Sequence, residues 1–278
     1  MKKVWYLTGA SQGLGLTLVK KLLAAGFRVA ATSRNAQALK NAVGVLDKDL
    51  FLALAVDLNN PDSIEESVRQ TVRVFGGIDV LVNNAGYGMT SVLEDMSSSD
   101  LAGIMGINVL AVMNVTKSIL PLMRMQRSGY IFNISSVAGF VGAPGWAIYS
   151  ATKAAVTAFS EVLALDVQEF GIKVTVVEPS GFRTGFLTAE SLAYKEPAIE
   201  GYEAVRQTQA RYLAANGKQP GDPDKAAEIL IALSETEKPP VHLYLGRDAY
   251  SRVAAKLSDM TNELEQWKET SISADFKD

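Results

Sequence analysis

Tyr149 and Lys153 stand four residues apart in a stretch with a helical pattern, which puts both side chains on one face, one turn apart. Held that close, an ammonium favours the phenolate and draws a tyrosine down from its ordinary pKa of about 10 toward the range of an acid–base catalyst. Ser136 lies thirteen positions earlier, at the end of the apolar run 130–134, which reads as a buried strand. The three residues supply a proton donor, a group that tunes it and a hydroxyl able to hold a substrate oxygen. A Y-x-x-x-K alone more often marks two solvated residues on a helix, so the elements around it decide the reading.

Those elements begin with the apolar run 4–7, which stops at Thr8-Gly9-Ala10-Ser11-Gln12-Gly13-Leu14-Gly15. A helical pattern follows over 16–25, with Leu18, Val19, Leu22 and Leu23 on one face and Gly26 as a stop. Strand, glycine-rich turn and helix aim backbone N–H groups and a helix N-terminus at a phosphate, and the glycines permit its close approach. The run 27–32 reads as a second strand ending in Ser33-Arg34. In a dinucleotide fold this end meets the adenosine ribose, where an acid selects the free 2′-hydroxyl and an arginine suits a 2′-phosphate. With Arg34 present and no acid, NADP(H) is favoured over NAD(H); the alternative is an ordinary solvated arginine that opens a loop.

Residues 35–46 are helical in composition, and 51–56 form a third strand ending at Asp57-Leu58. Asp57 would either take an adenine amino group or cap the helix that starts after Pro61 and runs to about Phe75. A fourth strand, 78–82, closes on Asn83-Asn84-Ala85-Gly86, which is either a plain turn or the lining of a cofactor cleft. One long helical region, 97–126, carries Asn108 among apolar neighbours. A buried asparagine must be hydrogen-bonded, so Asn108 is either satisfied in the core or marks a functional bend with an ordered water. After the Tyr149 helix, which continues to 170, a strand over 172–177 leads into Glu178-Pro179-Ser180-Gly181-Phe182-Arg183-Thr184. Residues 185–221 are less regular and rich in aromatics, a substrate-loop region. A helix after Pro223, a short strand at 241–245 and a terminal helix over 249–269 complete the chain. The βα alternation implies a parallel sheet with helices on both faces and one domain over 1–278.

The 278 residues are 48% hydrophobic and 21% charged with a net charge of −3, so nothing points to nucleic acid or an anionic membrane. Cysteine is absent, which removes disulfides, thiol nucleophiles and thiolate metal sites. The single His242 cannot build both a triad and a metal shell, and no metal is expected. Thr8-Gly9 interrupts the N-terminal apolar run too early for a signal peptide, and no stretch approaches about 18 uninterrupted apolar residues. A soluble, cytoplasmic protein without a membrane span is the expectation.

Assembled in order, Thr8 to Gly15 as TGxxxGxG, Asn83 to Gly86 as NNAG, Asn108, Ser136 and Tyr149 with Lys153 resemble the compact branch of the short-chain dehydrogenase/reductase family. The motifs cover about residues 3–185. Within the family the likeness is nearest to hydroxysteroid- and retinol-dehydrogenase-like members, through Ala31-Thr32-Ser33-Arg34 and Phe182-Arg183-Thr184. The resemblance implies a Rossmann-like, doubly wound fold with about seven parallel strands. It implies that Tyr149 moves the proton at the substrate oxygen, Ser136 orients that oxygen, and Lys153 binds the nicotinamide ribose and lowers the tyrosine pKa. Asn108 would hold a water that links Lys153 to solvent. Implied cofactor contacts are Gly9, Ser11, Gln12, Gly13, Leu14 and Gly15 in the turn, Ser33 and Arg34, Asp57 and Leu58. Asn84, Ala85 and Gly86, then Tyr149, Lys153, Pro179, Gly181 and Thr184, complete that set. The chain departs from the family's usual Pro-Gly after the sixth strand, having Pro179-Ser180-Gly181, and residues 185–269 match no sharp motif.

The expected activity is therefore hydride transfer between NADP(H) and a carbonyl or secondary alcohol. Phe140, Val141, Trp146, Phe182, Phe186 and Leu187 either wall the substrate pocket, favouring a fairly apolar small molecule, or are ordinary core residues. A dinucleotide-binding sensor or scaffold without turnover is the alternative; such proteins typically lose the tyrosine or the lysine. The extended epimerases and dehydratases carry a different glycine turn, TGxxGxxG. By family analogy the chain self-associates as a homodimer or homotetramer through the Asn108 and Tyr149 helices.

Overall fold

A strand whose successive residues are all apolar must be covered on both faces, which a parallel sheet between two helix layers provides. The computed structural model describes residues 2–44 and 47–276. Its first half runs β1 (Val4–Leu7), α1 (Gly13–Ala24), β2 (Arg28–Ser33), α2 (Ala36–Val43), β3 (Phe51–Ala55), α3 (Pro61–Phe75), β4 (Val80–Asn83), β5 (Gly88–Thr90), α4 (Ser98–Met105) and α5 (Ala111–Gln126). There follow β6 (Gly129–Ile134), α6 (Ala147–Val167), β7 (Ile172–Pro179), β8 (Leu192–Tyr194), α7 (Glu203–Ala214), α8 (Pro223–Ser234), β9 (His242–Leu245), α9 (Arg247–Gln266) and α10 (Lys268–Ile272). Seven strands form one parallel sheet in the order β3-β2-β1-β4-β6-β7-β9. This is the expected doubly wound, Rossmann-like α/β fold. The strand order reverses between β1 and β4, and ligands of such sheets bind beyond the carboxyl ends at that point.

Alternation along the strands sorts the core. Trp5, Leu7, Val29, Val82 and Phe132 pack under α1, α2 and α8, while Val4, Tyr6, Leu81, Ile131 and Val174 pack under α3, α5 and α6. Helix ends follow their local signals. Gly76 closes α3 in the left-handed conformation (φ +86°), and Asn60 opens it by accepting from the N–H groups of Asp62 (3.0 Å) and Ser63 (3.4 Å). Asn60, not Asp57, is thus the cap of α3. The part of the helix expected at 35–46 that reaches 45 and 46 lies outside the described residues.

Two expectations change. The single long helix over 97–126 is two helices joined by a π-helical turn, Gly106–Leu110, with Asn108 inside it. By length and composition the run Ser98–Gln126 could cross a membrane, yet Ile104, Val109, Val115, Ile119 and Met123 are buried in the fold. The region 185–221 is more ordered than its pattern indicates: it holds β8, which pairs in parallel with β5, and the 12-residue helix α7.

Candidate active site

β1 ends at Leu7 and α1 begins at Gly13, so the intervening turn lies at the carboxyl edge of the sheet beside the turn that follows β4. Side chains lock the two together. Thr8 Oγ1 accepts from the N–H groups of Asn84 (3.0 Å) and Ala85 (3.1 Å), and Asn84 Nδ2 donates to the carbonyls of Thr8 (3.0 Å) and Gly9 (2.9 Å). A Cβ on Gly9 would stand 2.6 Å from Ala85 Cα, and one on Gly15 would stand 2.5 Å from Asn84 Nδ2. Gly9 (φ +66°) and Gly15 are therefore demanded by the protein's own packing, and Asn84 and Ala85 act as the loop's anchor.

Ser11 and Gln12 are exposed, with Leu14 half-buried behind them. Gln12 provides no side-chain cap for α1, and no acid occupies its first turn. First-turn N–H groups without a side-chain partner, on the positive end of a helix dipole, suit a phosphate. The residues present fit a dinucleotide. At the neighbouring strand ends, Ser33 Oγ donates to the Asn35 carbonyl (2.7 Å), and Arg34 is exposed with no hydrogen bond or ion pair among the described residues. Asp57 is exposed and accepts from the Asn59 N–H (2.9 Å), while Leu58 packs against the core under α3.

β6 delivers Ser136 and α6 delivers Tyr149 and Lys153. Ser135 Oγ pins the helix by donating to the Lys153 carbonyl (2.8 Å), and a Cβ on Gly139 would meet that same carbonyl carbon at 2.8 Å. A buried polar chain also ties α5, β4, β6 and α6: Asn83 Nδ2 donates to Thr116 Oγ1 (3.0 Å) and Asn133 Oδ1 (2.8 Å), and Asn133 Nδ2 to Ser160 Oγ (2.9 Å). Asn83 Oδ1 in this chain is buried with no hydrogen-bond partner among the described residues, while the bonds through the Nδ2 atoms of Asn83 and Asn133 tie the four elements together. So held, the Ser136 hydroxyl lies close enough to Tyr149 to act on its pKa, and Lys153 Nζ sits 5.7 Å from the tyrosine ring centre while donating to the Ile134 carbonyl (2.9 Å).

Asn108 is buried, and both donors of its amide are engaged, with the Tyr87 carbonyl (2.9 Å) and Thr152 Oγ1 (3.2 Å); its Oδ1 accepts from the Tyr87 N–H (3.0 Å). Its side chain thus holds the backbone beyond Gly86 in place. A Cβ on Gly86 would lie 3.1 Å from Asn108 Oδ1 and 3.6 Å from Lys153 Nζ, so these two polar atoms converge on that glycine.

The electrostatics differ from the sequence expectation. Tyr149 is only 6% exposed, and burial raises its pKa above the ordinary phenol value; the Ser136 hydrogen bond acts the other way but is the smaller effect, and Tyr212 adds to the rise. Burial pulls the Lys153 ammonium down to about 8. The net position of the tyrosine is therefore raised rather than lowered, because desolvation penalises both charged forms.

The cover over Tyr149 combines Trp146, at the start of α6, with the region that has no motif. Trp146 meets its ring edge-on at 5.4 Å, Phe186 lies at 5.8 Å, and Tyr212 of α7 packs on Trp146 at 4.9 Å. Tyr212 was missed as a site residue; its only signal was a place among the aromatics of 185–221. Leu187 joins this cluster too, whereas Phe140 and Val141 pack beneath α9 and Phe182 packs on the core under α8. Three of the six expected pocket walls are thus in place. Gln12 Nε2 donates to Ser191 Oγ (2.7 Å) and the Gly88 N–H to the Ser191 carbonyl (2.8 Å), strapping this cover to the glycine turn. Thr184, beside Gly13, accepts from the Phe186 N–H (3.3 Å). The Pro179-Ser180-Gly181 turn is held by the Ser180 N–H donating to Leu245 (3.1 Å) and the Gly221 N–H to Gly181 (3.0 Å).

Residues 3–195, more than half of the chain, match the family model described as short chain dehydrogenase. The chain belongs to the short-chain dehydrogenase family. This short-chain dehydrogenase is 37% identical over 277 residues to the oxidoreductase BOA17 of Botryotinia fuckeliana, covering 99% of this chain and all of the relative. It is 33% identical over 240 residues to a 3-ketodihydrosphingosine reductase of Bacteroides thetaiotaomicron, covering 86% of each. A short-chain dehydrogenase from Streptomyces avermitilis shares its structure with a TM-score of 0.90 at 35% identity, over 99% of both chains. A family member from Burkholderia phymatum, solved in complex with NAD, shares the fold with a TM-score of 0.80 at 22% identity over 95% of each.

Proposed function

We propose that this oxidoreductase uses NADP(H) to interconvert a fairly apolar ketone or aldehyde and its alcohol, with Tyr149 as the acid and base. The observation that carries the reading is the convergence of Ser136, Tyr149 and the Lys153 ammonium, 5.7 Å from the tyrosine ring centre, all beneath an apolar cover. When bound, a reduced nicotinamide dinucleotide supplies a hydride to the carbonyl carbon. Ser136 holds the carbonyl oxygen, and Tyr149 donates its proton to that oxygen as the C=O bond becomes C–OH. A raised tyrosine pKa keeps the proton in place until the oxygen becomes basic, which suits a general acid. The Lys153 ammonium stabilises the phenolate left behind. In the oxidative direction the phenolate recovers the alcohol proton.

Arg34 supports NADP(H): it is exposed, free of partners among the described residues, and no acid stands beside it at the end of β2. The first turn of α1, with the exposed Ser11 and Gln12, would hold the pyrophosphate. Trp146, Phe186, Leu187 and Tyr212 favour an apolar substrate, and the carbonyl named in the Bacteroides relative supports the reaction class. Exposed Leu110, Val162 and Leu165 support self-association through α5 and α6, as a homodimer or homotetramer.

Titration of wild type and Tyr149→Phe with NADPH and NADH, followed by a panel of ketones and aldehydes, tests this. NADPH oxidation by wild type, with normal NADPH binding but no turnover by Tyr149→Phe, is the expected result. Tight binding without turnover of any carbonyl would make it a dinucleotide-bound sensor, and NADH preference would remove the role given to Arg34.

A further inference from the structure

The first turns of α9 lie on the protein's own surface, where Ala249 and Val253 are buried against Val137, Phe140, Val141 and Tyr244. From Ala254 onward every described residue is exposed. The apolar face nevertheless continues: Leu257, Met260, Leu264 and Trp267 are 51%, 44%, 66% and 55% exposed. Their spacing of three, four and three residues extends the step from Tyr250 to Val253 to Leu257, so the stripe keeps a 3.5-residue period across three heptads. That period is the seam of one helix packed along another. Residues 257–267 extend about 15 Å along the axis, and an isolated stripe of this kind marks an interaction site.

We infer that this stripe is the contact surface for α9 of a second copy of the same chain, paired parallel and in register. In that arrangement Leu257, Met260, Leu264 and Trp267 each meet their own counterpart. Glu263 of α9 and Lys268, which opens α10 directly after Trp267 and lies 4.0 Å from Glu265, then flank the seam as opposite charges, twice by symmetry. Antiparallel pairing over the same four residues would set Glu263 against itself. Sliding that arrangement by one heptad brings Leu264 of the second copy to Val253, which its own chain already buries. Charge and free space together select the parallel pair. A lipid surface fits poorly, because residues 247–276 carry six acids against four bases, where an interfacial helix is basic.

The chain has no cysteine, so one can be introduced alone. Leu264→Cys in the full-length protein is expected to form a covalent dimer under mild oxidation, while Asn262→Cys, on the opposite side of the helix, stays monomeric on a non-reducing gel. Equal cross-linking of the two variants overturns the pairing. Sedimentation across a concentration series gives the second readout. Leu257→Glu combined with Leu264→Glu is expected to weaken one association step at least tenfold with an unchanged melting temperature, since both side chains are exposed. Unaltered association overturns the inference. So does co-sedimentation of wild type, but not of the double variant, with phosphatidylserine vesicles, which would assign the stripe to a membrane.

Discussion

The glycine turn beside β4 and the cover formed by Trp146 and residues 184–214 close on the same tyrosine, Tyr149, but by different physics. Hydrogen bonds accepted by the Thr8 hydroxyl from backbone N–H groups and donated by the Asn84 amide to backbone carbonyls hold the first, and an added methyl group finds no room at Gly9 or Gly15. Ring contacts among Trp146, Tyr149, Phe186 and Tyr212 hold the second, with the Gln12–Ser191 hydrogen bond as a polar strap. Backbone hydrogen bonds demand particular residues at particular places, whereas apolar packing tolerates substitution at similar volume. The glycine turn is thereby constrained, and the apolar cover is left able to vary in shape. Sites are grafted onto shared folds in this way.

The sharpest test of this contrast is at the tyrosine that both regions serve. Tyr149→Phe keeps the ring contacts and removes the proton, so turnover is expected to fall by about 10²–10⁴-fold with NADPH affinity unchanged by fluorescence titration. Gly9→Ala attacks the constrained region: overpacking against Ala85 and a left-handed backbone together cost about 2–5 kcal/mol, read as a lowered denaturation midpoint. A variant as stable as wild type would show that the turn yields more than its contacts indicate.

Arg34→Ala should raise the Kd for NADPH by about 10–100-fold, the worth of a charged hydrogen bond to phosphate, and leave NADH nearly unaffected. The pH profile probes the lysine. With its pKa drawn down to about 8, Lys153 is charged below that pH and loses its charge as pH rises through it. For carbonyl reduction, kcat/KM is expected to decline above about pH 8, and Lys153→Met should abolish that limb of the profile. The smallest effect belongs to the cover. Ser191→Ala removes one neutral hydrogen bond, worth about 0.5–1.5 kcal/mol, and is expected to raise substrate KM a fewfold with kcat preserved. A loss of NADPH binding instead would mean that the strap serves the cofactor end.

Much of the fold was legible because its determinants are local. Apolar runs of strand length, Pro61 after Asn60 and Gly76 after Phe75 mark their elements within a few residues of sequence. Tyr149, Lys153 and Ser136 were legible by type and spacing, and a bend at Asn108 by its cost inside a helix. The β8 and α7 elements were less visible, since their cover of Tyr149 comes from residues such as Tyr212 far along the chain. Phe140 and Phe182 were misplaced for the same reason: an aromatic ring announces burial but not which cluster will bury it.

Residue identity and near-neighbour spacing thus determined the parallel α/β topology, the glycine turn, the absence of thiol chemistry and the three polar side chains, Ser136, Tyr149 and Lys153, that the proposed reaction uses. Tertiary structure alone decided the direction of the Tyr149 pKa, the engagement of Asn108 with Tyr87 and Thr152, and the identity of the cover. Helix, strand and turn preferences act over a few bonds and are written residue by residue. Desolvation and side-chain packing depend on what the rest of the chain brings to the same place.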